Sequence, residues 1–139
     1  MFSLNDCIGF ITNTASKKLS EEFNRRLLEY KITRVNFIAI YYIGENEGIS
    51  QRELSDKMDV NDSSIARLID RMEKEDLVER KRDLKDRRTI RIVLTKKGVE
   101  VRKALLPVAE RFQNDVTCDI SENELEVFKN VIEKMVKNL

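Results

Sequence analysis

Apolar residues recur at steps of three and four along most of this chain, the spacing that places side chains on one face of an α-helix. The first segment with this pattern runs from Leu4 to Glu29. Its stripe consists of Leu4, Ile8, Ile11, Ala15, Leu19, Phe23 and Leu27. A second segment begins at Thr33, a suitable N-cap, and is apolar nearly all round until Gly48, which predicts a buried helix. The sequence therefore predicts a chain built mainly from helices.

The middle of the chain predicts two further helices joined by a tight turn. Ser50 and Glu53 fit the S-x-x-E capping box, in which a serine oxygen and a glutamate carboxylate each accept a hydrogen bond from a free N–H at a helix start. After a turn at Asp59, the next helix begins at Asn61 or Asp62, both good N-caps. Its apolar face carries Ile65, Leu68, Ile69 and Met72, and its opposite face carries Ser63, Ser64, Arg67, Arg71 and Lys74. This helix therefore combines one buried face with one polar, mostly cationic face.

A hairpin is predicted next. Leu77 to Arg82 and Thr89 to Leu94 read as strands, and Asp83 to Arg88 forms a polar turn between them. In the second strand Ile90, Ile92 and Leu94 alternate with Arg91 and Val93. A helix, a short helix, a turn, a helix and a hairpin in this order are typical of a winged helix-turn-helix, whose second paired helix can enter the major groove of DNA. The predicted fold class is therefore mainly α (α+β), a winged helix-turn-helix with a two-stranded β-wing.

Long amphipathic helices are predicted at both ends of the chain. Besides the first segment, Lys96 to Val116 and Glu122 to Leu139 keep helical spacing, and Ser121 with Glu124 forms a second capping box. Their apolar surface exceeds what a small winged helix needs, which favours burial against a second copy over a monomer whose ends fold back. The predicted organisation is an N-terminal dimerisation helix at 1–31, a DNA-binding domain at 32–97 and C-terminal dimerisation helices at 98–139.

The charge of the chain is unevenly distributed. The formal net charge is only +1, yet Val78 to Lys97 contains nine Lys and Arg against three acids, a local charge of +6 that leaves −5 for the rest. Such a block is often only a solvated face. Here it falls on the predicted hairpin, where a cationic wing beside the helix from Asn61 to Glu75 is able to enter a narrow minor groove. The sequence thus favours double-stranded DNA as the partner.

Candidate DNA-binding residues lie on this helix, on the wing and at the capping box. Arg67 and Arg71 share one helix face and suit bidentate pairing with guanine. Arg88 is the best candidate for the minor groove, and Asp86 is placed to accept hydrogen bonds from its guanidinium. Acids such as Asp70 and Glu73 would repel phosphate unless they point sideways or pair with Arg67, Arg71 or Lys74. The full set is Ser50, Gln51, Asp62, Ser63, Ser64, Arg67, Arg71, Lys85, Asp86, Arg87 and Arg88.

The chain lacks the residues of common catalytic and metal sites. It has no histidine, which removes the usual general base and the commonest metal ligand. Cys7 and Cys118 are far apart and have no adjacent cation, so we expect buried, inert thiols. The four glycines are too scattered for a phosphate-binding loop. We therefore expect no catalytic residues, no metal and no cofactor, in a cytoplasmic protein without a membrane span.

Two other classes of function stay open at this point. One is a winged-helix module that docks another protein and has lost DNA binding, although such a module has no need of a basic wing. The other is a small enzyme that holds a metal through Glu79, Asp83 and Asp86, although the Lys and Arg residues around these acids would repel a cation.

Over almost its whole length the chain resembles the MarR (multiple antibiotic resistance regulator) family of transcription regulators. The resemblance is carried by Ile49 to Leu54, by Val60 to Arg80 and by the wing motif Asp83-x-x-Asp86-x-Arg88 with the following Leu94-Thr-x-x-Gly98. It implies a homodimer that acts at short palindromic operators, and we expect a repressor. By the same likeness Arg88 matches the wing-tip arginine and Asp86 the acid that orients it. Leu84 departs from the family, which often has proline there.

The resemblance also implies release by a small anionic or phenolic effector or by thiol oxidation. Family effectors lie in a crevice between the dimer helices and the DNA-binding lobe, which Phe10, Ile40, Tyr41 and Tyr42 would line here. The spacing of these residues fits a plain hydrophobic core equally well. Relatives that sense peroxide keep a reactive cysteine roughly where Cys7 lies. A match at Ala15-Ser16, however, places that cysteine closer to Gly9.

Overall fold

The computed structural model describes the whole chain, Met1–Leu139, and consists mainly of helices with one small sheet. In chain order the elements are α1 (Ile8–Leu27), α2 (Arg34–Glu45), β1 (Ile49–Ser50), α3 (Gln51–Met58), α4 (Asp62–Lys74), β2 (Val78–Arg82), β3 (Ile90–Leu94), α5 (Lys96–Val116) and α6 (Glu122–Lys137). Single turns of 3₁₀ helix, Leu4–Asp6 and Leu28–Tyr30, flank α1. The predicted mainly helical, winged-helix fold is confirmed.

The helix starts follow the predicted side-chain caps. Both capping boxes are complete: the oxygens of Ser50 and Ser121 accept the backbone N–H of the third helical residue, and the glutamate there reaches back to the serine N–H. Thr33 caps α2 by accepting the N–H of Asn36 at 3.2 Å. Of the two candidates for the start of α4, Asn61 is the N-cap, and its Oδ1 accepts the N–H of Ser64 at 2.8 Å.

The first helix is shorter than its apolar stripe. Cys7 has an extended backbone, with φ −73° and ψ 110°, and separates the turn Leu4–Asp6 from α1. Neither Cys7 nor any other side chain caps this start. Apolar spacing alone therefore overestimated the helix by one turn, because it reports which side faces inward and not where the backbone leaves helical geometry.

The sheet has one strand more than predicted. Its order is β1-β3-β2, with both pairs antiparallel. The expected hairpin is β2 with β3, in the register Arg80 opposite Ile92. On the other side of β3, Ile49 pairs with Ile92 and Ser50 with Arg91. The predicted two-stranded wing is confirmed as β2 and β3, and the additional strand β1 connects the wing directly to the start of α3.

The core lies where α2, α3 and α4 meet the sheet. The predicted apolar face of α4 is buried, with Ile65, Ile69 and Met72 at 0% and Leu68 at 3% exposure. Ile40, Ile43, Leu54, Leu77 and Ile92 are buried with them. Burying four large side chains on one face holds α4 firmly, since each contributes about 1.5–3 kcal/mol. Its other face is left in solvent.

The chain forms two compact units, Met1–Val108 and Ala109–Leu139. In the first unit, Phe23 and Leu27 of the α1 stripe are buried, whereas Leu4, Ile8, Ile11 and Leu19 are 43–53% exposed. In the second unit, α6 has no fully buried residue, and Phe128 is 61% exposed. These units are defined by contacts and not by function. The predicted division into dimerisation and DNA-binding parts, with boundaries at 31 and 97, therefore stays a prediction. None of the helices is long and apolar enough to cross a membrane.

Candidate nucleic-acid interface

The polar face of α4 is open to solvent. Ser63, Ser64, Arg67 and Arg71 are all exposed. Ser63 Oγ donates to Asn61 Oδ1 at 2.8 Å, so this hydroxyl is held at the start of the helix. Neither guanidinium has a hydrogen-bond or ion-pair partner within the chain. Both arginines are therefore available for an external acceptor.

The acids of α4 are neutralised by a residue outside the helix. The sequence left two alternatives for Asp70 and Glu73, to point sideways or to pair with cations of α4, and the structure gives them a partner on another element instead. Arg80 of β2 binds both of them, with Nη1 at 2.6 Å from Asp70 Oδ1 and 2.5 Å from Glu73 Oε1. As a result, these carboxylates are held by β2, and Arg67 and Arg71 stay unpaired.

The wing turn is organised by Asp83. Its Oδ1 accepts the backbone N–H groups of Lys85 at 2.7 Å and Asp86 at 3.2 Å, and its Oδ2 accepts Arg91 Nε at 2.6 Å. The N–H of Lys85, the Arg91 guanidinium and the N–H of Asp86 together lower the pKa of Asp83 below its ordinary value, in that order of effect. Arg91 also donates to the carbonyl oxygen of Gly48 at 2.9 Å. The turn is thereby attached to the α2–β1 connection.

Asp86 restrains Arg88 through the backbone more than through the guanidinium. Asp86 Oδ1 accepts the N–H of Arg88 at 3.0 Å, and Oδ2 accepts Thr89 Oγ1 at 3.4 Å. The expected hydrogen bonds from the Arg88 guanidinium are absent, because Nε lies 3.6 Å from Oδ1, which is an ion-pair distance. The Arg88 side chain is 96% exposed. It therefore projects from a fixed backbone position at the end of the turn.

Four further cations of the hairpin have no partner within the chain. Lys85 and Arg87 are exposed, and no contact within the chain engages their side chains. The same holds for Lys81 and Arg82 on β2. Leu84 is 101% exposed. The hairpin thus presents a cationic surface with one apolar side chain at its tip.

A cleft of about 310 Å³ brings several predicted residues together. Its wall consists of Ser50, Gln51, Arg52, Asp62, Arg88, Thr89 and Ile90. Ser50 is occupied as the cap of α3, Gln51 Oε1 accepts Arg80 Nε at 3.1 Å, and Asp62 Oδ1 accepts Ser55 Oγ at 3.0 Å. The starts of α3 and α4 and the end of the wing turn therefore meet at one place.

The four candidate ligand-binding residues are in different environments. Phe10 is 46% and Tyr41 38% exposed, and Tyr42 is half-buried. The Tyr41 ring lies 5.6 Å from the Tyr42 ring and, at its centroid, 5.6 Å from Arg102 Cζ. Ile40 is fully buried in the core, so within this chain it presents no surface to a ligand.

One of the two cysteines is more exposed than the sequence predicts. Cys7 is half-buried, whereas Cys118 is exposed. The prediction of a buried thiol is therefore wrong for Cys118, which lies in the turn before α6, where no core covers it. The chain also holds no group of three Cys, Asp or Glu residues placed to bind a metal ion.

Two residues of the interface had no local signal in the sequence. Arg80 reaches partners on α3 and α4 that lie seven to 29 positions away, and Arg91 bonds a carbonyl 43 positions away. Spacing rules detect neighbours on one helix or one strand and do not detect such contacts. Only the folded sheet brings these groups into range.

Comparison with known proteins gives consistent results in sequence and in fold. Residues 32–90 match the family described as the MarR family. The chain is 26% identical over 136 residues to the HTH-type transcriptional regulator SarZ of Staphylococcus aureus (strain USA300), covering 97% of this chain and 90% of SarZ. The SarZ of Staphylococcus haemolyticus is 24% identical over 135 residues. These relatives are transcriptional regulators and not enzymes.

Solved structures share the fold at lower identity. MepR of S. aureus in complex with DNA superposes with a TM-score of 0.89 at 20% identity, covering 96% of this chain and 98% of MepR. A mutant of MarR from E. coli complexed with operator DNA gives 0.87 at 21% identity, covering 97% and 99%. The three comparisons point to the same kind of protein: the family match, the sequence relatives and the shared fold all indicate a regulator of the MarR type. The segment 32–90 thus carries the MarR-family match, and over nearly its whole length the chain is similar to DNA-binding transcriptional regulators of the MarR type and shares their winged-helix fold.

Proposed function

We propose that this protein represses transcription as a homodimer bound to a palindromic operator. In each subunit α4 lies in the major groove, where Arg67 and Arg71 contact guanine edges. The wing enters the adjacent minor groove through Arg88, and Lys85 and Arg87 contact phosphates. Ser50, Gln51, Asp62, Ser63 and Ser64 lie at the helix starts that face the backbone between these two contacts, and Asp86 holds Arg88 in place.

One observation carries the proposal. Arg67 and Arg71 of α4 lack partners within the chain, as do Lys85 and Arg87 of the wing. Arg88 has only an ion pair with Asp86 at 3.6 Å, whereas Arg80 and Arg91 donate hydrogen bonds to acceptors of the chain. Unpaired arginines near the 310 Å³ cleft at the helix starts suit a polyanion that follows the surface from α4 to the wing. A protein-docking module would gain nothing from so many uncompensated charges, because they oppose one another unless an anion covers them.

The test compares Arg88→Ala with the wild type on duplexes selected from a random pool. We expect affinity for the selected duplex to fall about tenfold or more, because a fully exposed guanidinium that enters the minor groove supplies both charge and shape recognition. The slope of log affinity against log salt should become shallower by about one unit. Fluorescence anisotropy at several salt concentrations measures both quantities.

The matched control is Arg111→Ala, which removes an exposed arginine of the second unit. It should leave affinity and salt slope unchanged. Since Arg88 is 96% exposed, its removal should not shift the thermal unfolding midpoint. Equal affinity of Arg88→Ala and wild type for the selected duplex would contradict the wing assignment.

We also propose that a small phenolic or anionic compound releases the operator. The support is chemical: Phe10, Tyr41 and Tyr42 expose aromatic surface, and Arg102 adds a cation beside Tyr41. The similar fold of BpsR from Bordetella bronchiseptica, whose DNA binding is regulated by 6-hydroxynicotinic acid, adds support at 17% identity. Titrating phenolic acids into the protein–operator complex tests release, and Tyr41→Ala should weaken the response. A complex that no compound of this class dissociates would contradict the idea.

A further inference from the structure

Arg80 makes more polar contacts than any other side chain of the wing. Its Nη1 binds Asp70 and Glu73, its Nη2 donates to the carbonyl oxygen of Ala66 at 3.0 Å, and its Nε donates to Gln51 Oε1 at 3.1 Å. In addition, its backbone N–H lies 3.4 Å from Glu73 Oε2. The side chain is only 22% exposed. All three guanidinium nitrogens are thus engaged within the protein.

These contacts join the three elements that would meet DNA. Arg80 belongs to β2 and is opposite Ile92 of β3, so it is part of the wing. Ala66, Asp70 and Glu73 are on α4, and Gln51 is the first residue of α3. A guanidinium is planar, and its donors point in fixed directions. Four contacts from one such group, three of them to α4, therefore restrict both the distance and the angle between the wing and α4.

We infer that Arg80 is a positioning residue that sets the placement of α4 relative to the wing and thereby the specificity of DNA recognition, without touching DNA itself. The inference rests on the proposed function. Arg67 and Arg71 on α4 have to reach bases while Arg88 reaches the next groove, and this requires a fixed spacing between helix and wing. Discrimination between base sequences depends on that spacing, whereas attraction to phosphate depends on charge alone.

The decisive variant is the double substitution Asp70→Asn with Glu73→Gln. It removes two negative charges near the DNA, so a purely electrostatic role predicts tighter binding to every duplex. A positioning role predicts a different result. Affinity for a random duplex rises, but the ratio of operator affinity to random-duplex affinity falls about fivefold or more, because Arg80 loses two of its anchors on α4. An unchanged ratio would overturn the inference.

Arg80→Lys and Arg80→Met separate positioning from direct phosphate contact. Lysine keeps the charge and loses the planar fork, so we expect both variants to lose discrimination by similar factors, with the salt slope unchanged. Loss of a phosphate contact would instead weaken all duplexes alike in Arg80→Met and reduce the slope by about one unit. That second pattern would assign Arg80 to the DNA contact surface and refute the positioning role.

A readout without DNA keeps this inference separate from the proposed function. In Arg80→Met, hydrogen exchange should accelerate both in α4 and in residues 83–89, because the connection between them is lost. The control is Arg25→Met, which removes an arginine bound to Glu22 through Nε and Nη2 in α1, and both segments should exchange as in the wild type. If the wild type selects no duplex, the proposed function fails. If exchange in Arg80→Met is unchanged, the positioning role fails.

Discussion

A single carboxylate, that of Asp83, determines the shape of the wing turn. It accepts hydrogen bonds from two backbone N–H groups and from the Arg91 guanidinium, which also donates to the carbonyl oxygen of Gly48. Proline would restrict the backbone at the next position by its ring, but this chain has Leu84 there. The turn is therefore held by hydrogen bonds to a charged group, and such bonds depend on pH.

The order of the wing should be lost in acid. Because the N–H of Lys85, Arg91 and the N–H of Asp86 lower the pKa of folded Asp83 below 3.8, its contribution to stability is fully present above about pH 4. It disappears as the pH falls through the lowered value. An NMR titration of the Asp83 carboxyl should show a midpoint below 3.8.

Two variants check the source of this effect. Asp83→Asn should accelerate hydrogen exchange at residues 85–88 already at neutral pH, since the ion pair with Arg91 is gone. Glu79→Gln, an acid of the same hairpin, should leave the acid-induced loss of the turn as in the wild type. A midpoint of Asp83 at or above its ordinary value would show that these hydrogen bonds do not form in solution.

Among the elements, the start of α5 depends on a close approach to Leu77, the residue before β2. A Cβ added to Gly98 would lie 2.1 Å from the carbonyl oxygen of Leu77, which is backbone and unable to move aside. Next to it, Thr95 N–H donates to the same oxygen at 3.1 Å, and Gly98 N–H donates to Thr95 Oγ1 at 3.0 Å. Glycine is therefore a packing requirement in the Leu-Thr-x-x-Gly segment.

Gly98→Ala should lower the free energy of unfolding by about 1–3 kcal/mol, the usual cost of forcing an additional carbon into a packed position. Gly9→Ala is the matched control, because nothing lies within 4 Å of a Cβ at Gly9 in α1. It should be neutral or stabilise by up to about 1 kcal/mol, since alanine favours a helix over glycine. Urea unfolding monitored by circular dichroism measures both. Equal stability of the two variants would contradict the close contact at Leu77.

Elements with a local chemical signature were predictable, and those defined by distant partners were not. The capping boxes at Ser50 and Ser121 and the four-residue apolar face of α4 are properties of neighbouring residues, and the structure confirms them. Strand β1 has two residues, too few to show alternation, and exists only because β3 pairs with it. The partners of Arg80 were likewise hidden, because its carboxylates belong to another element. For the same reason, the sequence did not show that Asp70 and Glu73 pair with a residue outside α4.

At the scale of the molecule, apolar surface is left over at both ends. In α1, Ile8 and Ile11 are 49% and 43% exposed, and in α6, Val127 and Phe128 are 52% and 61% exposed. Several exposed large apolar side chains on one helix commonly mark an interface. Burial against a second copy about a two-fold axis would also place two α4 helices for two half-sites.

Sedimentation equilibrium tests the dimer. The wild type should have twice the chain mass of 16.3 kDa at micromolar concentration. Ile8→Asp with Ile11→Asp should shift it to the single-chain mass, because two carboxylates would be buried without partners. Asn13→Asp, an exposed position of the same helix, is the control and should stay dimeric. A wild type that sediments at the single-chain mass would rule out this dimer under those conditions.

The strand order β1-β3-β2 also affects how the protein behaves at high concentration. An unpaired strand edge is a template for other chains and a starting point for aggregation. One outer strand, β1, has only two residues, and the other, β2, carries Glu79, Lys81 and Arg82 along its exposed positions. Like charges on β2 repel a second copy of the same edge. The cations of β2 therefore protect the free protein from edge-to-edge polymerisation.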